Sequence, residues 1–140
     1  MIPIIFLIAC SEVEKVELDA LSGLPPDFEM PDDGPAFISV ADVKAAYDAQ
    51  ASLIFLDARP TVDYNLRHII DAYSIPFYEV EEHFPRFPTG VWYIAYCGCP
   101  HSESGIVADY FLANGHETVG ILDEGYLEWD ALGYPTEPGE

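Results

Sequence analysis

Apolar residues in this chain fall into short blocks separated by turn-forming residues. Leu53-Ile54-Phe55-Leu56, Val91 to Tyr96 and Thr118 to Leu122 are runs rich in β-branched and aromatic residues, which predicts buried strands. Ala72 to Pro76 reads as a further short extended segment. Between the runs the spacing turns helical. Ser39-Val40-Ala41-Asp42 has the form of a capping box and predicts a helix to about Gln50. Thr61 can cap a short helix through Leu66, and Tyr78 to Phe84 predicts another, broken by Pro85 and Pro88. Ser104 to Ala113 places Val107, Ala108, Phe111 and Leu112 on one face, and Gly115 stops it. Leu127 to Leu132 predicts the last helix, and Gly133-Tyr134-Pro135 closes the pattern. Short strands alternating with helices predict an α/β domain with a mostly parallel sheet. Ligands of such sheets bind beyond the carboxyl ends of the strands. Asp57 and Cys97 both stand at such ends.

The termini follow other patterns. Residues 1–9 are almost wholly apolar and run into Cys10, too short to span a bilayer but of signal-peptide length. Leu7-Ile8-Ala9-Cys10 resembles the lipobox of bacterial lipoproteins. The resemblance implies a signal peptide over 1–9, acylation of Cys10 and a lipid bilayer as partner, with the protein anchored in the bacterial cell envelope and facing the periplasm. No Lys or Arg precedes the apolar run. If the signal is false, a cytoplasmic location follows. Residues 10–36 are acidic and hold Pro25, Pro26 and Pro31, the composition of an extended tether. The compact domain is expected over 37–136, with 137–140 frayed.

Charge narrows the partners. Five Lys and Arg stand against 25 Asp and Glu, a formal net charge of -20. Lys15, Lys44, Arg59, Arg67 and Arg86 are scattered. Nucleic acid is excluded as a partner, because neutralising phosphates takes clustered cations. Three cysteines in 140 residues make no disulfide framework.

The candidate chemistry lies in Cys97-Gly98-Cys99-Pro100-His101-Ser102-Glu103-Ser104. A cysteine between a strand end and a helix N-terminus sits where backbone N–H groups and the helix dipole favour a thiolate. A buried structural cysteine is the plain alternative.

The motif order resembles a single rhodanese domain. Leu56-Asp57-Ala58-Arg59 is similar to the family's Asp-x-Arg after an early strand. Tyr64…Arg67-His68-Ile69-Ile70-Asp71-Ala72…Ile75-Pro76 resembles its Tyr…Gly-His-Ile-x-Gly-Ala…Ile-Pro signature, with Arg67 and Asp71 replacing both glycines. Ala95-Tyr96-Cys97 resembles the strand that ends in the catalytic cysteine. Leu122-Asp123-Glu124-Gly125…Trp129…Gly133-Tyr134-Pro135 resembles the closing motif. The resemblance implies a three-layer α/β sandwich around a central, mostly parallel sheet, and a sulfurtransferase needing no cofactor.

By that resemblance Cys97 is the nucleophile that carries sulfane sulfur as a persulfide. Gly98 through Ser104 form the loop that cradles the anionic sulfur. His101 is the loop side chain able to carry positive charge. Most rhodanese loops have six positions and end in Arg. Spacing suggests seven here, with Glu103 in the Arg place. Seven-position loops resemble the phosphatase and arsenate-reductase branch, but a carboxylate repels those oxyanions, so phosphatase chemistry is not expected. Thiosulfate is expected to be a poor donor for the same reason. Polysulfide, a small-molecule persulfide or a protein persulfide is the expected donor, with a thiol as acceptor. Other readings of the loop stay open. Cys99 can act as a resolving thiol in redox chemistry with Cys97, or merely pack. Cys97, Cys99 and His101 are soft ligands, yet they have no partner motif, and no metal is expected. The missing Arg also fits a non-catalytic binding module. Asp57, Arg59 and His68 are read as structural residues near the site, the first two as a paired charge.

Overall fold

The computed structural model describes residues 13–98 and 101–139. Cys10, Cys99 and Pro100 lie outside the described residues, and with them the acylation and resolving-thiol readings.

The chain forms β1 (Ala36–Ile38), α1 (Val40–Asp48), β2 (Leu53–Asp57), α2 (Thr61–Leu66), β3 (His68–Ile69) and β4 (Tyr73–Ser74). A 3-10 turn at Phe77–Glu79 leads into α3 (Val80–His83), and a second covers Phe84–Arg86. Then come β5 (Trp92–Tyr96), α4 (Ser102–Ala113), β6 (Val119–Leu122), α5 (Gly125–Ala131) and β7 (Thr136–Glu137). Five strands make one sheet in the order β1-β6-β5-β2-β4, and every neighbouring pair is parallel. β3 and β7 form a separate antiparallel pair.

The unalternating apolar runs are explained by burial on both faces. Ile54, Leu56, Tyr93, Ala95 and Ile121 pack with Val107, Ala108 and Phe111 of α4 on one side. Leu53, Phe55, Trp92, Ile94 and Leu122 pack with Val40 and Val43 of α1 and Tyr126 and Trp129 of α5 on the other. Each such Val, Leu, Ile or Phe side chain contributes about 1.5–3 kcal/mol. Slipping a strand by one residue would exchange the two faces, so packing fixes the register. β5 lies between β6 and β2, which puts Cys97 at the middle of the sheet's carboxyl end.

Local chemistry starts and stops the elements. Ser39 Oγ accepts from Asp42 N–H at 3.0 Å, and Val40 N–H donates to the Glu124 carboxylate at 2.7 Å. Gly115 ends α4 in the left-handed region at φ 108°. Asp71, at a glycine place of the resembled signature, also takes left-handed backbone at φ 63°. Aspartate tolerates that region, and the Glu137 carboxylate accepts the Asp71 N–H at 2.9 Å.

Several expectations differ from the structure, and α5, like α4, begins two residues early, at Gly125. α4 begins at Ser102, two residues before the expected start. The acidic 13–35 stretch has no helix or strand but lies against the domain. Its scattered apolar residues decide this over its charge. Val16 is buried and its N–H donates to Arg86 O at 2.7 Å, Phe28 packs edge-on against Trp92, and Ser52 N–H donates to Leu24 O at 2.9 Å. Gly23 lies so close to the Gln50 carbonyl that no side chain fits there. At the other end, Thr136 and Glu137 are a paired strand and Gly139 N–H donates to Asn65 O at 3.0 Å, where composition suggests fraying from 137.

Candidate active site

The site is built where β5 and β2 end. Cys97 follows Tyr96 directly and is 2% exposed. Its Sγ lies 3.3 Å from Ser104 Oγ, with the thiol donating. Ser104 is buried in the first turn of α4, and its own hydroxyl reaches His101 O at 3.4 Å. The early start of α4 therefore brings the sulfur onto the helix N-terminus. The helix ladder begins with Gly105 N–H donating to His101 O at 2.7 Å, so the amides of Ser102, Glu103 and Ser104 are not used by it.

The loop is held from the side of β6. His101 Nε2 lies 2.6 Å from Asp123 O and 3.1 Å from Asp123 Oδ1, and its ring packs on Phe37. A nitrogen that close to a carbonyl must carry the proton, so this nitrogen acts as a donor to Asp123. Gly125 opens α5 at φ 84°, and a Cβ there would stand 2.6 Å from Gly98 O and 3.0 Å from Cys97 O. Tyr126 N–H donates to Cys97 O at 2.8 Å. Sequence reasoning missed Gly125 and Tyr126 as site residues. The closing motif held the glycine but gave no sign of what it approaches.

On the side of β2, Asp57 is fully buried. It accepts from Arg59 N–H and Nε at 3.0 Å each and from Nη2 at 2.8 Å. Arg59 Nη2 also donates to Arg67 O at 2.7 Å, and the guanidinium lies 4.0 Å over the Tyr126 ring. Burial alone would weaken its basicity, but the Asp57 hydrogen bond and charge outweigh that and raise it. Tyr96, also missed, completes the set. Its hydroxyl donates to Asp57 Oδ2 at 2.9 Å and accepts from Ile69 N–H at 3.0 Å. Burial first, and the Asp57 charge second, push its phenol well above the ordinary value.

Glu103 is half-buried on the first turn of α4. Burial, and then the charges of Asp63 and Asp57, raise its carboxyl above the usual range, with Arg59 opposing. His68 is nearly buried, stacked on Tyr64, with Nδ1 2.9 Å from Tyr64 O and Nε2 3.1 Å from Glu137 Oε2. It lies in the β3–β7 pair rather than in the cysteine loop. Ser102 is exposed at the helix start.

Comparison with known proteins agrees with this geometry. A model of the rhodanese-like domain family matches residues 39–132. No curated protein matches the chain. Among solved structures, a Bacillus halodurans protein is 24% identical with a TM-score of 0.67, over 74% of this chain and 77% of its own. The rhodanese-like domain of an Anabaena protein is 24% identical with a TM-score of 0.66, over 73% and 78%. A thiosulfate sulfurtransferase from Pseudomonas aeruginosa is 25% identical with a TM-score of 0.60, over 76% of this chain and 21% of that enzyme. With motif order, parallel sheet and family model in agreement, the chain belongs to the rhodanese-like domain family.

Proposed function

We propose that Cys97 carries sulfane sulfur as a persulfide and passes it between thiol partners. The observation that supports this most is the 3.3 Å contact between Cys97 Sγ and Ser104 Oγ, which seats the sulfur on the first turn of α4. The Cys97 thiolate attacks the outer sulfur of a persulfide R–S–SH. A new S–S bond forms at Cys97, the old one breaks, and R–S⁻ leaves. An acceptor thiolate then takes the outer sulfur and returns Cys97 to a thiolate. Both steps conserve electrons overall. The Ser104 hydroxyl accepts from the thiol and, by rotating away from His101 O, can donate to the anion. First-turn amides and the dipole of α4 add to this.

Glu103 stands where most of the family carries the anion-clamping Arg. A half-buried carboxylate there opposes a dianion, so the donor is a polysulfide or persulfide rather than thiosulfate. His101 is engaged by Asp123 and positions the loop. Turnover between a persulfide donor and a thiol acceptor tests the proposal. Cys97→Ser abolishes it, and Ser104→Ala slows it by about tenfold or more, as loss of a hydrogen bond to an anion does. Undiminished turnover in Cys97→Ser would overturn the reading.

One observation favours a second reading, a non-catalytic binding module: the thiol is only 2% exposed. That reading predicts no turnover in the wild type. For the N-terminus we keep the lipid-anchored, periplasm-facing placement as a proposal. Its test is membrane partitioning, which Cys10→Ala abolishes if the reading holds.

A further inference from the structure

Exposed apolar side chains are concentrated at the Cys97 end of the sheet. Among the described residues nine large hydrophobic side chains are exposed, and six of them lie there: Phe37, Val62, Leu66, Tyr78, Ile106 and Leu127. The topology explains the grouping, because a parallel sheet delivers every strand exit to one end. β2 leads into α2 with Val62 and Leu66. β4 leads into the turn that bears Tyr78, whose neighbour Phe77 donates its N–H to Ala58 O at 3.0 Å. β5 leads into α4 with Ile106. β6 leads into α5 with Leu127, beside the Tyr126 N–H that holds Cys97 O. Phe37 of β1 lies against the ring of His101. Scattered apolar residues need no explanation, but a group of them at the end of the sheet that carries a reactive thiol marks an interaction surface.

Acidic side chains outnumber cations at this end. Asp63 and Glu103 lie in the first turns of α2 and α4, the helices that follow the adjacent strands β2 and β5, and Asp63 disfavours the charge of Glu103. Glu128 is exposed next to Leu127. Of the cations at hand, Arg59 is paired with Asp57, and Arg67 donates to the Thr136 hydroxyl at 2.7 Å and stays exposed. Two carboxylates on the first turns of neighbouring helices, beside exposed apolar side chains, are complementary to a cation flanked by apolar side chains. Small thiols that carry their own carboxylates are repelled by the same pair.

We propose that this rim docks a basic protein presenting a cysteine, the partner that exchanges sulfur with Cys97. Its apolar side chains sit on Val62, Ile106 and Leu127, and a Lys or Arg beside its cysteine sits between Asp63 and Glu103. The partner's role rests on the sulfur-carrier reading, while its docking is measurable without sulfur chemistry.

The test is fluorescence anisotropy of short labelled peptides on the unmodified protein. One peptide carries Leu and Lys around a Ser that replaces the reacting cysteine, and a second carries Glu for each Lys. The Lys peptide binds at least about tenfold more tightly at low salt, and the ratio shrinks toward one at about 0.5 M salt. Because the whole chain is acidic, location is checked by two charge-matched variants. Asp63→Asn with Glu103→Gln weakens the Lys peptide at least about fivefold, whereas Asp32→Asn with Asp33→Asn, at the opposite end of the sheet, does not. Val62→Ser with Ile106→Ser weakens it similarly, and exposure of both positions keeps the fold intact. Equal loss from the two charge pairs, or no loss from the apolar pair, overturns the proposal. Binding of the Lys peptide by a protein whose Cys97 gains no sulfur from polysulfide would instead overturn the sulfur-carrier reading and leave the docking surface standing.

Discussion

The Tyr96 hydroxyl donates to Asp57 Oδ2 at 2.9 Å, joining the last residue before the cysteine to the last residue of the neighbouring strand. The same oxygen accepts from Ile69 N–H, so one phenol ties β5, β2 and β3 together beneath the loop. Tyr96→Phe keeps the packing and removes both hydrogen bonds. It leaves the Ile69 N–H buried and unpaired, and we expect a loss of about 1–3 kcal/mol in urea unfolding. Unchanged stability would show that the phenol is not structural.

On the proposed function, the Glu103 carboxylate selects against dianionic donors. Glu103→Arg restores a cation at the first turn of α4 and removes the Asp63 repulsion. We expect thiosulfate kcat/KM to rise by about tenfold or more, equivalent to about 1.4 kcal/mol of binding to the transition state. Donors without a dianionic group should gain much less. An equal gain for both donor classes would contradict the assignment.

His116 contributes a pH dependence to stability. It is buried among the rings of Phe84, Tyr93 and Phe111. Burial lowers its pKa below the ordinary 6.5, against a smaller opposite effect from a hydrogen bond to the Phe87 backbone. The folded state then binds fewer protons than the unfolded state. Its contribution is present above about pH 6.5 and is lost as pH falls, by at most about 1.4 kcal/mol per unit. Unfolding free energies measured between pH 7 and pH 5 should fall more for the wild type than for His116→Phe. The many carboxylates act in both proteins and cancel in the difference. Parallel pH curves would contradict this.

Cys97 and Asp57 were legible in the sequence because each ends an apolar run, and a parallel sheet gathers such ends. The Tyr96–Asp57–Ile69 connection was not, because it joins residues 39 and 27 positions apart. Glu137 was hidden in the same way. Its polar surroundings suggest a loose end, yet its carboxylate meets His68 and Asp71 from 69 and 66 positions away. In the acidic stretch before the domain, Val16 and Phe28 were the signal for docking, outweighed on composition by their charged neighbours. The start of α4 was misplaced because Ser102 reads equally as loop or helix N-terminus, and only the seating of Cys97 against Ser104 decides it.

Intact mass after exposure to polysulfide tests the central claim most directly, with wild type, Cys97→Ser and Cys99→Ser compared. The account predicts that the wild type and Cys99→Ser gain one sulfur atom, that a thiol acceptor removes it, and that Cys97→Ser gains none. A wild type that stays unmodified, or a Cys97→Ser variant that gains the same sulfur, would contradict it.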